Sequence, residues 1–416
     1  MAVRSLKRFV VDRVDPSVWT PAVQPADQNA PKVAVVGAGP AGLAAAHELS
    51  LKGYRVTLLE KENRPGGMLT CAIPAYRLPR EGLTREIDAL LNENIDLRCN
   101  QQLGRDFTIE TLQEQGHRAV FLAMGSHQSR RLGVTGEDVK GVIPGIEFLK
   151  AYNLHGENLA AGHVGIVGGG NSAMDAARVA FRLPGVESVT VFYRRTREEM
   201  PAYAEEIEAG LAEGIKIEAL VAPVEVLSQG GKLTGVRFIR NELTEIDESG
   251  RRSFKAVTGS EFEARVDTLI VAISEQPDLA GVAEDLQRTR WGTLAVNDES
   301  LLTTRNGVFA AGDLVTGPAT VIEAVAAGKK AAAMIDRYLN GRLLKELRKV
   351  RLPSVYIEPV TAEDEDGVVA ERPESPHLAV SCRKSFDEVE LCIDEATARC
   401  EASRCLRCDL EFTHPE

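Results

Sequence analysis

The sequence predicts an α/β protein with two dinucleotide-binding domains, the second inserted into the first, and three observations carry that expectation. An apolar, β-branched run at residues 33–36 meets a glycine-rich turn, Gly37-Ala38-Gly39-Pro40-Ala41-Gly42, that opens a helix. The same order recurs at residues 164–167, where the turn is Gly168-Gly169-Gly170-Asn171-Ser172-Ala173. A third short apolar run, residues 307–311, ends on Gly312-Asp313 and precedes a small-residue helix from Thr320, which returns the chain to the first domain. The expected division is a helix and linker at 1–30, a first domain at 31–155 and 296–349, a second at 156–295, and an extension at 350–416.

Taken in order, Leu6, Phe9, Val10 and Val14 stand at helical spacing, so a short amphipathic helix opens the chain. A proline-rich linker, 19–31, leads to the first glycine unit. Its second strand, 54–59, ends at Glu60, 18 residues beyond Gly42, where a carboxylate can accept hydrogen bonds from a ribose diol. Gly37 permits the tight turn, Gly39 leaves bare backbone for a pyrophosphate, and Gly42 lets helix and strand pack closely. The turn Asn63-Arg64-Pro65-Gly66-Gly67 brings more backbone towards that loop. A helix is expected from Arg80 to about Asn94, a strand over 119–123, and a crossover through the glycines of 133–145. In the second unit the strand 188–193 meets Arg194, Arg195 and Arg197 in place of an acid. Guanidinium groups there suit a 2′-phosphate and favour NADPH over NADH; the other reading is a solvated loop whose arginines pair with Glu198 and Glu199. Residues 232–271 alternate strands and turns, and 268–273 lead into a connection back to the first domain.

Composition narrows the function classes. A net charge of -12 argues against a nucleic-acid or anionic-membrane binder, since both need a positive surface, and it suits a basic protein partner. No apolar run reaches the roughly 18 residues of a membrane span. Near the N-terminus Asp12 and Asp15 interrupt the basic residues and no apolar stretch follows, so the expected location is cytoplasmic. Of the seven cysteines, five lie from Cys382 onward, which is no secreted disulfide framework. Cys71 has no second cysteine before Cys99 and reads as a small buried hydrophobe, not as half of a redox pair. Cys392, Cys400, Cys405 and Cys408 could hold an iron–sulfur cluster or zinc; a docking tail with free thiols is the other reading.

Taken together, GGMLTCAIPAYRLP, FLAMGSHQSRRLGVTGED, GGGNSAMDAAR, VFYRRTREEMPA, GVFAAGDLVTGPATVIEAVAAGKKAA and EASRCLRCDL resemble the two-dinucleotide flavoproteins. More closely they resemble the small-subunit family of glutamate synthase and its NAD(P)H:ferredoxin relatives, over nearly the whole chain. The flavin subunit of a tungsten- or molybdenum-dependent aldehyde oxidoreductase complex is a further whole-chain resemblance. The family fold is a pair of Rossmann-like domains, like glutathione and thioredoxin reductases but without the redox disulfide. The resemblance implies that Gly37, Gly39, Pro40, Ala41, Gly42, Glu60, Lys61, Gly67, Met68, Ile73, Arg77, Ala123, Gly125, Gly312, Asp313 and Val321 surround FAD. It implies that Gly168, Gly170, Asn171, Ala173, Arg194 and Arg195 hold NAD(P).

The implied chemistry is hydride transfer between nicotinamide C4 and flavin N5, then single-electron exchange with an iron–sulfur centre, with no side chain needed as general acid or base. The family usually carries a cysteine-rich cluster module before the opening helix, so the implied partners are a ferredoxin-like subunit and a larger catalytic subunit. Two departures stand out: Ser274 where relatives often have glycine, and Cys392 where they tend to have glycine. The alternatives are a structural subunit with vestigial dinucleotide sites and a stand-alone flavin reductase.

Overall fold

The structure, a computed structural model, describes residues 2–246, 252–345 and 372–403. The chain opens with helix α1 (Val3–Val11). Strand β1 (Lys32–Val36), helix α2 (Pro40–Leu51) and strand β2 (Arg55–Leu59) then form a βαβ unit. Short α3 (Met68–Cys71), α4 (Arg80–Leu90), β3 (Ile95–Arg98), α5 (Ile109–Glu114) and β4 (His117–Leu122) complete the outward half of the first domain. A two-residue strand β5 (Gln128–Ser129) leaves it.

The second domain holds β6 (Val142–Pro144), α6 (Gly145–His155), β7 (Gly162–Val167), α7 (Asn171–Arg182), β8 (Val186–Tyr193), α8 (Ala204–Glu213) and β9 (Lys216–Ala219). A meander follows: β10 (Val221–Gln229), β11 (Lys232–Ile246), β12 (Arg252–Ala256) and β13 (Phe262–Arg265), all paired antiparallel. Strand β14 (Thr268–Val271) closes the domain and β15 (Glu275–Gln276) returns antiparallel to β5. Strand β16 (Val308–Ala310), α9 (Asp313–Thr316) and α10 (Val321–Leu339) rejoin the first domain, and α11 (Glu395–Ser403) ends the described chain.

Each domain is built on a five-stranded parallel sheet, ordered β16-β4-β1-β2-β3 in the first and β6-β14-β7-β8-β9 in the second. Side chains alternate between two buried faces, as a parallel sheet covered on both sides requires. Val33, Val35, Val56 and Leu58 pack on α2 and α10, while Ala34, Val36, Leu59 and Val120 face a second core with Phe107 and Leu286. This explains why the strand sequences are continuously apolar. Gly328 of α10 sits where a Cβ would stand 2.1 Å from the Ala41 carbonyl, so the two helices meet backbone to backbone.

Three expectations need correction. The second domain begins before residue 156: β6 pairs with β14 through Leu269 and Val142, and Ile146, Phe148 and Leu149 of α6 fill the core of Ile166 and Met174. The return comes before residue 296, because Val282, Leu286 and Leu294 pack in the first domain. The β5–β15 ribbon therefore marks the crossing in both directions. The helix from Arg80 stops at Leu90, short of Asn94, and an edge strand that the sequence analysis does not name follows at Ile95–Arg98.

The described part of the extension is packed on the body. Phe386 stacks on Tyr152 with centroids 4.3 Å apart, the Val389 amide donates to the Tyr76 carbonyl at 3.0 Å, and the Ala2 amide donates to Glu401 of α11. Cys405 and Cys408 lie outside the described residues.

Candidate dinucleotide sites

Strand β1 delivers the chain to Gly37, whose φ of 104° and position 2.5 Å (at Cβ) from the Ala123 carbonyl admit no side chain. Gly39 is the residue before helix α2, so unpaired first-turn N–H groups point away from the sheet edge. Gly67 approaches from the other side, and a Cβ on it would stand 2.7 Å from the Gly39 Cα. Two glycine turns thus form a bare backbone cradle, the shape a pyrophosphate requires. Gly42 packs inward, its Cβ position 1.8 Å from the Gly37 carbonyl.

Glu60 ends β2 and is buried. Its Oε2 accepts from the Ala38 N–H at 2.8 Å and its Oε1 from the Glu62 N–H at 2.9 Å, which locks the carboxylate beside the glycine loop. Each oxygen keeps a lone pair for a diol. Burial raises its pKa above the usual carboxylate range, against these two amide hydrogen bonds. Beyond β16, burial pushes the Asp313 carboxyl up to about 6, and its Oδ1 is buried with no hydrogen-bond partner among the described residues. Thr320 caps α10 by accepting from the Glu323 N–H at 3.3 Å, while Glu323 accepts from the Thr320 N–H at 2.9 Å.

These turns line one cleft along the C-terminal edge of the first sheet. Every residue expected around FAD lines it except Gly42, which packs helix on strand, and Arg77. Arg77 points elsewhere. Its Nη1 donates to Asp175 at 2.8 Å and its Nε pairs with Glu206 at 2.9 Å, both in the second domain. The reason is charge: Asp175 is buried in α7, and the guanidinium is its counter-ion.

The second glycine turn occupies the matching edge of the second sheet. Gly170 precedes α7 with nothing within 4 Å of its Cβ position, so its surroundings are open, while Ala173 is buried in the packing against β7. Asn171 Oδ1 accepts from the Tyr203 N–H at 3.0 Å, which ties the α8 segment over the turn. Arg194 is exposed, with its guanidinium 5.1 Å from the Phe254 ring centroid. Arg195 is different: it is buried and its Nε donates to the Arg252 carbonyl at 2.6 Å, so β12 claims that guanidinium. Arg197 pairs with Glu208 of α8, and Glu199 caps Thr196.

Cys71 is free and buried, and burial pushes its thiol up to about 12, the character of an inert core thiol. Cys392 lies under Arg13, whose Nη1 donates to its sulfur at 3.4 Å. No metal-holding group of His, Cys, Asp or Glu occurs among the described residues. Lining residues outside the expected set include Gln101, Gln102, Asp278 and His127, the last with its Nδ1 buried and unpartnered among the described residues.

A doubly wound sheet whose strand ends cradle one dinucleotide, carrying an inserted copy of itself for a second, defines a two-dinucleotide oxidoreductase fold. The family model for pyridine nucleotide-disulphide oxidoreductases matches residues 31–328, and the chain belongs to this family. It is 39% identical over 438 residues to the NADP(+)-dependent formate dehydrogenase subunit beta of Moorella thermoacetica, covering 98% of this chain and 62% of that one. It is 37% identical to the NADPH-Fe(3+) oxidoreductase subunit beta of Geobacter sulfurreducens, covering 93% and 63%. Both relatives are therefore longer, and the chain spans under two thirds of each. The glutamate synthase [NADPH] small chain of Azospirillum brasilense is 33% identical, covering 82% of this chain and 73% of that one. Among solved structures, Mycobacterium tuberculosis FprA in complex with NADPH superposes with a TM-score of 0.66 at 19% identity over 75% of this chain and 85% of that one, which is a likeness of fold.

Proposed function

We propose that this chain is an FAD-containing electron-transfer subunit that exchanges hydride with NAD(P)H and single electrons with an iron–sulfur partner subunit of a larger, cytoplasmic oxidoreductase complex. The observation that carries the reading is the recurrence of a glycine cradle in each of the two domains of one chain, one of them completed by Glu60 and Asp313. When bound, FAD supplies the step between two-electron and one-electron chemistry. The chain's own residues hold and orient. The first turn of α2 and Gly67 face the pyrophosphate, Glu60 takes the adenosine ribose diol, and the unpartnered Asp313 Oδ1 accepts from a ribityl hydroxyl. The first turn of α7 takes the pyrophosphate of the nicotinamide nucleotide, with Arg194 as the cation for a 2′-phosphate.

The subunit role draws support from relatives whose names identify them as subunits of NADP-linked oxidoreductases. A tungsten- or molybdenum-dependent aldehyde oxidoreductase is the catalytic partner we favour, and helix α1 with the adjacent tail is the docking element. No helix among the described residues is long and apolar enough to cross a membrane.

The test is direct. Purified protein should be yellow, and its flavin absorbance should bleach anaerobically with NADPH; Gly39→Val should remove the flavin by filling the cradle. A colourless protein that cannot take up FAD would mean a vestigial, structural subunit. A Gly39→Val protein with full flavin would move FAD to the other glycine turn.

A further inference from the structure

We propose that His127 binds the adenosine half of FAD, its Nδ1 hydrogen-bonded to the adenine or its ribose. The inference rests on the placement of FAD in the first cleft. It starts from where the turns fall. The strand order β16-β4-β1-β2-β3 lays the loops that follow each strand along one edge in sequence: Asp313, Gly125, Gly39, Glu60 and Gln101. The carboxylate that takes the adenosine ribose stands on the β2 side of the glycine cradle, so the flavin half extends the other way, towards Asp313 and Val321.

His127 comes just after β4, in a loop that Ser126 ties to the Asp313 carbonyl at 2.9 Å, and its ring is also reached by charges from the β2 side. The charged side chains that act on its ring are Lys61, next to Glu60, and Lys150 of α6. Lys150 is itself paired with Glu62, two residues after the ribose carboxylate. On its other side the ring is held against Gly125, whose Cβ position is 3.3 Å from the imidazole Nε2.

Nδ1 has no partner among the described residues, is out of contact with solvent, and belongs to a ring that lines the cleft. A buried nitrogen of this kind costs stability unless something in the cleft pairs with it. Burial, reinforced by Lys61 and Lys150, lowers the ring's pKa to about 3, so it is a neutral imidazole. A neutral ring has one donor and one acceptor nitrogen. That matches adenine and ribose, which offer both kinds of group, and it adds no further cation beside the two lysines.

The test compares FAD and FMN, which lacks adenosine, by quenching of flavin fluorescence on titration into flavin-free protein. His127→Leu removes the hydrogen bond, and His127→Asn places a polar atom close to the position of Nδ1. His127→Leu is expected to weaken FAD binding about tenfold, with FMN binding unchanged and most of the loss recovered in His127→Asn. Wild-type affinity for FAD in a folded His127→Leu protein would overturn the inference and leave FAD in the cleft. An equal loss for FAD and FMN would overturn it too, by placing His127 on the flavin side. If His127→Leu does not fold, His127→Asn decides: near-normal FAD binding with an intact preference over FMN supports the inference, and a lost preference overturns it. Wild-type protein that binds neither flavin would overturn this inference together with the reading on which it rests.

Discussion

Asp313 pits binding against stability within one side chain. Its folded pKa is raised from 3.8 to about 6 by burial, so in the flavin-free protein the folded state holds its proton more tightly than the unfolded chain does. The sign follows. The group costs nothing below pH 4, the penalty grows as pH rises towards 6, and it is constant above. Asp313→Asn should therefore raise the melting temperature of flavin-free protein at pH 7 to 8, by the equivalent of about 1 kcal/mol after allowing for partial exposure, with no gain at pH 4. The same substitution should loosen FAD, because an anionic acceptor is lost. A variant that neither gains stability at neutral pH nor loses flavin would remove Asp313 from the site. The arginines divide in a similar way. Arg194→Ala should raise KM for NADPH far more than for NADH, whereas Arg195→Ala should lower the melting temperature, since Arg195 holds the Arg252 carbonyl. Equal KM changes for both nucleotides in Arg194→Ala would end the 2′-phosphate assignment.

At the scale of elements, the segment between α3 and α4 acts as a clasp between the domains. It belongs in sequence to the first domain, but Tyr76 is wholly buried in the second domain's core, under the guanidinium groups of Arg178 and Arg182 at 4.6 and 4.1 Å. Arg77 next to it neutralises Asp175 and Glu206. Arg77→Ala strands a buried carboxylate and should cost about 3 kcal/mol or more in thermal or denaturant unfolding, while folded protein keeps its flavin. Loss of flavin without loss of stability would return Arg77 to the FAD site, where the family resemblance had put it. This clasp also marks the limit of what the sequence discloses. The glycine turns, Glu60 and Asp313 were legible because strand, turn and helix are contiguous, so local sterics specify each one. Arg77 was misplaced because its partners lie about a hundred residues away, and contact at that distance has no periodicity to read. Strand β6 was missed because three residues ending in proline give no strand pattern.

Across the whole molecule, two glycine cradles read as nucleotide sites leave one question: where electrons go once they reach the flavin. In disulphide reductases of this fold a thiol pair takes them. Here Cys71, which follows the glycine turn at Gly67, is buried with its thiol pushed up to about 12, so it stays protonated and offers no thiolate. On the proposed subunit reading the exit is a redox centre on a partner. An outlet on a partner also fits the placement of the terminal segments. Helix α1 and helix α11 lie together, joined by the Ala2 amide to Glu401, and Arg8 of α1 pairs with Glu388 of the extension at 2.6 Å, so the two docking candidates are adjacent. From this follows a prediction for the chain expressed alone. It should reduce artificial one-electron dyes with NAD(P)H, because hydride entry and flavin lie within it, and it should oxidise no aldehyde or other small organic substrate. Adding the iron–sulfur partner should restore electron flow to the catalytic subunit without changing the dye rate. Turnover of a small organic substrate by the isolated chain at about 1 s⁻¹ or faster would show that this polypeptide contains its own substrate site, and the subunit reading would fall.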